Sequence, residues 1–267
     1  MRRFFRDCHV LRLAFLLSSL LLAGPALSQA SDQGDLEFGH IHLPPFGYTD
    51  SEGESTGYLV ELARRVFDSM DQPVRFVQHP ATRLYRQIDT GETAFTLASA
   101  ELHRLSQTAI EAEEAAITLT LTLYRRKGTP AINDVEQLRG QHLVLLNGYS
   151  YGKLGEFFEA ESDAIRISKA RTHRSALRMI HYGRADYLLD YQTPADLTIA
   201  QNSMTGLERD VIGRVPVHFF VSKALDNAQA LADAWDHNLR KLKASDRLPS
   251  RDHYDMGVPN DAAPGSR

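Results

Sequence analysis

Cysteine is nearly absent: Cys8 is the single one in 267 residues, and it lies in the amino-terminal stretch. If that stretch is removed, no disulfide and no thiolate chemistry remain, so the core alone must stabilise the chain. Long apolar runs are scarce as well. The run from Leu11 to Ala23 is interrupted by Arg12 and two serines, and it falls short of the roughly 20 residues a membrane span needs. No later segment is long and apolar enough to cross a bilayer. There is no phosphate-binding glycine loop, no Gly-x-Ser-x-Gly elbow and no zinc spacing. His40 and His42 share one face of a predicted strand without a third ligand, so neither metal nor cofactor is expected. No internal repeat is visible, and the tail from Pro259 to Arg267 is polar, rich in breakers and expected to be disordered.

The amino terminus has a positive head (Arg2, Arg3, Arg6), a short apolar middle, and then Gly24, Pro25 and the small residues of Ala26 to Ala30. That order describes a secretory signal peptide over residues 1–30, with cleavage expected after Ala30 or after Ser28. Cys8 does not follow a lipobox. Removal of Arg2, Arg3, Arg6, Arg12 and Asp7 lowers Lys+Arg from 30 to 26 and Asp+Glu from 34 to 33, which leaves about −7 instead of −4. An acidic exported chain is poorly suited to nucleic acid or to an anionic membrane surface. The expectation is a soluble monomer in the periplasm.

Periodicity predicts a strand at Leu36 to Leu43 and a helix at Gly57 to Met70, with Leu59, Leu62, Ala63, Val66, Phe67 and Met70 on one face. A strand at Val74 to Gln78, a helix at Thr82 to Thr90 closed by Gly91, and a strand at Ala94 to Ala98 follow. This alternation implies a parallel α/β layer. A second series has strands at Ala116 to Arg125, Gln141 to Leu146, Ala164 to Ile167 and Asp186 to Leu189. Its helices are Tyr151 to Ala160 and Thr172 to Tyr182, the latter capped by Thr172. A strand at Val217 to Val221 precedes a long helix with Ala228, Leu231, Trp235, Leu239 and Leu242 on one face, capped by Asp226 with Gln229 completing a capping box. Two α/β layers in about 237 residues imply two lobes and a cleft, with ligands beyond the carboxyl ends of the strands.

Five stretches, in order, resemble one family. Leu43-Pro44-Pro45-Phe46-Gly47-Tyr48-Thr49-Asp50 is followed by Gly53 and Thr56-Gly57-Tyr58-Leu59-Val60-Glu61-Leu62. Leu84 to Gly91 gives a helix and a glycine. Asp134 to Gly140 leads to Leu143-Val144-Leu145 and Gly148-Tyr149-Ser150-Tyr151. Gly183-Arg184-Ala185-Asp186-Tyr187 is followed by Asp190. Together these are similar to the extracellular solute-binding proteins of family 3, the amino-acid-binding components of ABC importers. The resemblance implies an α/β, two-lobed periplasmic-binding-protein fold of type II-like form, with the ligand cleft between lobes and two crossing strands as hinge. Lobe one would comprise 31–122 plus 219–258, and lobe two 123–218. It also implies a small polar solute as ligand and an ABC permease as partner, or a membrane receptor if the module senses.

A closing cleft needs donors for a carboxylate, an acceptor for an ammonium and a surface to pack on. Asp190 falls at the carboxyl end of its strand, so it either meets a ligand cation or serves as a salt-bridged aspartate. Ser150, between Tyr149 and Tyr151, offers a hydroxyl to an anion or caps the next helix. Phe46 and Tyr48 follow two prolines and either stack on a ligand or plug the lobe edge. The family's threonine-x-threonine-x-x-arginine corresponds here to Ser99-Ala100-Glu101-Leu102-His103-Arg104, which lacks the threonines. Ser99 and Arg104 are the candidates from that stretch, with Arg83 a rival cation. The missing threonines weigh against an ordinary α-amino acid. The family's fold also includes cyclohexadienyl dehydratases, in which a cleft carboxylate is a general acid; Glu101 stands where it could take that part, although the expected role is binding rather than catalysis.

Overall fold

The computed structural model describes residues 36–100 and 102–250; the signal-peptide reading of 1–30, the tail 259–267 and Glu101 lie outside the described residues. The chain runs β1 (Leu36–His40), β2 (Tyr48–Thr49), β3 (Ser55–Thr56), α1 (Tyr58–Ser69), β4 (Val74–Gln78), α2 (Ala81–Thr90), β5 (Phe95–Ser99), α3 (His103–Ser106), β6 (Ala109–Glu111) and β7 (Ile117–Arg126). A short 3₁₀ turn, Val135–Leu138, leads to β8 (His142–Leu146), α4 (Lys153–Ala160), β9 (Arg166–Ala170), α5 (His173–His181), β10 (Tyr187–Tyr191), α6 (Gln192–Gln201), β11 (Leu207–Ser222) and α7 (Ala228–Ala244).

β1 lies between β4 and β5, parallel to both, and β8 lies between β9 and β10, again parallel. These are the two series that alternation predicts. They join through antiparallel pairings of β5 with β11, β11 with β7 and β7 with β10, giving the order β4-β1-β5-β11-β7-β10-β8-β9, with β6 added on β11. β11 carries the chain back: its first part faces β7 from Leu207–Arg126 to Val217–Ile117, and from Val217 to Val221 it also faces β5. A bulge between Val211 and Gly213 interrupts this long ladder.

Local chemistry sets the ends. α1 buries Tyr58, Val60, Leu62, Ala63, Val66 and Phe67, the stripe that turns an amphipathic segment into a packed helix. α2 stops where Gly91 takes φ 79°, a left-handed value that costs glycine little. α5 starts on a capping box, with Thr172 accepting from the Ser175 amide at 3.1 Å. α7 returns to the first series, where Trp235 stacks on Phe219 with centroids 3.9 Å apart and planes 7° off parallel. Phe95 and Phe67 complete that cluster at 5.5 Å from Phe219 and Trp235 respectively. Among the described residues no helix is long and apolar enough to cross a membrane.

The structure corrects some boundaries. β9 begins at Arg166 rather than Ala164, since Ala164 and Ile165 are held back to Glu161 in a turn. α7 is capped by Asn227, without a side-chain hydrogen bond, rather than by Asp226. Backbone bonds from Leu225 to Ser222 and from Ala228 to Leu225 keep Asp226 inside a turn, and Gln229 bonds forward to Asp233 at 2.8 Å.

Candidate functional site

The carboxyl ends of β5 and β8 face each other where the two series meet. There the Ser99 and Ser150 hydroxyls, one from each series, stand 2.7 Å apart. Ser150 does not cap α4; that place is taken by Gly152. Gly148, at φ 85°, brings its backbone so near Ala81 that a Cβ would lie 3.1 Å from the alanine methyl.

Around this junction lie three spaces. A small one of about 60 Å³ is apolar, with Phe38, Phe46, Leu84 and Leu97 on one side and Tyr149, Ser150 and Tyr191 on the other. A second, about 700 Å³, is walled by the ends of β1, β4 and α2 opposite the loop after β8, the start of α5, and α6. A third, about 1110 Å³, is bounded by α2 and Arg104 opposite α4 and β9. Tyr149 contributes to all three.

Tyr149 is held from behind. Its hydroxyl is 3.0 Å from His173 Nε2, and His173 Nδ1 is 2.6 Å from Asp190 Oδ2. The other carboxylate oxygen, Oδ1, accepts the Tyr191 amide at 2.8 Å. A proton on Nδ1 meets the Asp190 carboxylate and leaves Nε2 as the acceptor for the Tyr149 hydroxyl, the tautomer that satisfies both contacts. Asp190 has no exposed surface. Burial pushes its carboxyl up, and the hydrogen bond from His173 pulls it back. Burial, reinforced by the Asp190 charge, holds the Tyr149 phenol well above its usual value, so the hydroxyl keeps its proton. Tyr151 and Tyr191 pack on it with centroids at 6.0 and 5.7 Å. Tyr151 stands at φ 55° with its own hydroxyl receiving the Leu146 amide at 2.6 Å; left-handed backbone at a non-glycine residue is strain of the kind that gathers at sites.

A comparable buried acid sits on β1 itself. Glu37 takes Thr93 and His79 at 2.7 Å each and Arg75 at 2.8 Å. Although burial pushes its carboxyl up, those partners hold it below the ordinary range. His40 is likewise buried, with Nε2 2.9 Å from Ser55 Oγ, and burial drives it down to about 4, so its ring is neutral at pH 7.

Of the residues singled out from sequence, Phe46, Ser99, Tyr149 and Ser150 meet around the small space. Arg104 is exposed on the third, its guanidinium 5.5 Å from the Tyr85 ring. Asp190 sits behind His173 and Tyr149. Tyr48 lies in the β2–β3 hairpin, and exposed Arg83 points from α2; neither borders the three spaces. Sequence reasoning did not single out Tyr85, Arg171, His173, Arg174 or Tyr191. For Arg171, His173 and Arg174 the available signal was Thr172, since a cap at a strand-to-helix turn puts its neighbours at the carboxyl edge of the sheet.

Comparison with known proteins places these features in a family. The profile of the bacterial extracellular solute-binding proteins, family 3, matches residues 39–251. No curated protein matches the chain. Among solved structures, a histidine kinase sensor domain with similarity to periplasmic binding proteins shares the fold with TM-score 0.71 and 20% identity, over 84% of this chain and 96% of that one. An ancestral arginine-binding protein bound to arginine gives 0.66 and 18%, over 82% and 97%. A structure described for glutathione import via GshT and the cystine ABC importer TcyBC of Streptococcus mutans gives 0.69 and 17%, over 84% and 95%. The chain has the two-lobed periplasmic-binding-protein fold.

Proposed function

We propose that this chain, which belongs to the bacterial extracellular solute-binding proteins of family 3, captures a small polar solute outside the cytoplasm by closing its two lobes around it. One observation carries this: the Ser99–Ser150 contact at 2.7 Å closes a junction whose cavities take their walls from both parallel series. The lobes are 31–122 with 219–258, and 123–218, and β7 and β11 are the strands about which they turn. Phe46 and the tyrosines supply the packing surface, Ser99, Ser150 and Tyr149 the hydrogen bonds, and Arg104 a cation at the outer edge. Asp190 acts through His173, which fixes the direction of the Tyr149 hydroxyl. Ligand binding favours the closed form by its differential affinity for it. Residues 1–30 direct export, and the loaded monomer delivers to an ABC permease.

A second reading is supported by the sensor-domain likeness, which spans nearly all of that domain: the closed form reports to a membrane receptor instead. Both readings need the same cleft. A thermal-shift screen of the protein against amino acids, polyamines, sugars and organic acids tests it. A binder at 100 times its Kd adds about 2.7 kcal/mol, or roughly 5–10 °C in Tm for a chain of this size. A flat response across every class would overturn the capture reading.

A further inference from the structure

The roughly 700 Å³ space beside His173 has an unusual wall. In a chain with 34 acidic and 30 basic residues, its lining contains no aspartate or glutamate, yet it includes Arg171 and Arg174. The carboxylates behind two of its histidines, Glu37 and Asp190, are buried and bonded to His79 and His173 at 2.7 and 2.6 Å, and Asp196 on α6 is engaged by Arg209 and Tyr124. Their charges are thereby answered inside the protein. Arg65, Arg75, Arg125, Arg139, Arg209 and Arg240 all have carboxylate partners. Arg171 and Arg174 are exposed and form no ion pair among the described residues, which is equally true of Arg83, Arg86 and Arg178; what sets the two apart is that they share one cavity whose lining holds no acid.

We infer that the solute is a small organic anion with two or more carboxylates, held by Arg171 and Arg174. This rests on the capture reading and specifies its ligand, whose acid groups it places in the roughly 700 Å³ space rather than beside Arg104, with Tyr149 as the residue shared with the small space. A guanidinium offers a planar fork that matches a carboxylate with two parallel hydrogen bonds. Two of them, three residues apart at the mouth of α5, suit a ligand with more than one acid group. Thr82 on the facing wall, with Asn147 and Tyr149 beside the arginines, adds neutral hydrogen-bonding groups. A cationic ligand would meet two guanidinium groups and no exposed carboxylate there. The roughly 1110 Å³ space does not make the same selection, because Arg104 and Lys169 share it with Glu156 and Glu159.

The experiment is calorimetric titration at fixed ionic strength with citrate, glutarate, arginine and putrescine, on the wild-type protein and on the Arg171→Gln/Arg174→Gln double variant. Both side chains are exposed, so the double variant should keep the wild-type melting temperature without ligand. A second variant, Arg171→Lys/Arg174→Lys, keeps the charge and guards against a folding defect. Citrate or glutarate should bind the wild type, and should bind the glutamine variant about 100-fold more weakly, at roughly tenfold for each guanidinium–carboxylate pair removed. The lysine variant should fall between the two. Failure of both carboxylates to bind, or equal binding to wild type and glutamine variant, would overturn the inference. Arginine or putrescine binding with neither carboxylate bound would also overturn it while leaving solute capture intact.

Discussion

A carboxylate taken wholly out of water has to be answered by its neighbours, and Asp190 has two: the His173 ring and the Tyr191 amide. Asp190→Ala would leave both donors orphaned in the interior, each at about 1–3 kcal/mol, so urea unfolding should show a loss of about 2–6 kcal/mol. Asp190→Asn keeps an acceptor and should cost less than half of that; equal losses would mean that packing, not the hydrogen bonds, sets the cost. His40 gives a pH signature. Its folded value is depressed to about 4 from the ordinary 6.5 by burial, so between those values the unfolded chain binds more protons. Stability contributed by neutral His40 is full above pH 6.5 and is lost as pH falls to about 4, by about 3 kcal/mol in all. His40→Gln should flatten that part of the profile when unfolding free energies at pH 7 and pH 4.5 are compared. Legibility at this scale divides by range. Asp190 can be placed at a strand end by alternation alone. His173 gives no local sign of its part, because the group that defines it is a carboxylate 17 positions further on.

Elements were readable where one face is wet. α1, α2 and α5 have clear stripes, and their stops and caps follow from Gly91 and Thr172. α6 buries only Pro194 and Ala195, too little to mark a period. β11 was legible only at Val217–Val221, where neighbours cover both sides; over Leu207–Pro216 it is partly exposed and carries Arg209, Asp210 and Arg214, so alternation fades. Gly91 supports a firm prediction. Any side chain there must accept φ 79° and would place its Cβ 2.6 Å from that of Ala224. Gly91→Ala should therefore destabilise by about 2–5 kcal/mol, combining a left-handed penalty of roughly 1–2 with overpacking of roughly 1–3. Thr172→Ala, which removes only the cap, should cost about 1 kcal/mol. A Gly91→Ala loss no larger than that of Thr172→Ala, by urea denaturation, would mean that the α2–Ala224 contact yields freely.

Across the whole molecule, the strand count could be read from sequence but the order could not. Nothing in periodicity says that β11 inserts between β5 and β7; the family resemblance implied two crossing strands without giving their place in the sheet. The insertion leaves the two series linked through β7 and β11, while Ser99–Ser150 and Gly148–Ala81 hold them together on the cleft side. A change at those contacts should shift an open–closed balance without unfolding either series. Ala81→Trp makes the test, because Ala81 opens α2 in ordinary helical backbone and its methyl meets Gly148. An indole there cannot fit beside a backbone already so close, so the closed form should lose population. Small-angle scattering should then report a larger radius of gyration than wild type, with far-UV circular dichroism unchanged. A solute that stabilises the wild type should stabilise the variant less, in proportion to the fall in closed population. An unchanged radius together with unchanged solute response would mean that closure does not run through this contact, and that Ser99 and Ser150 are merely packed neighbours.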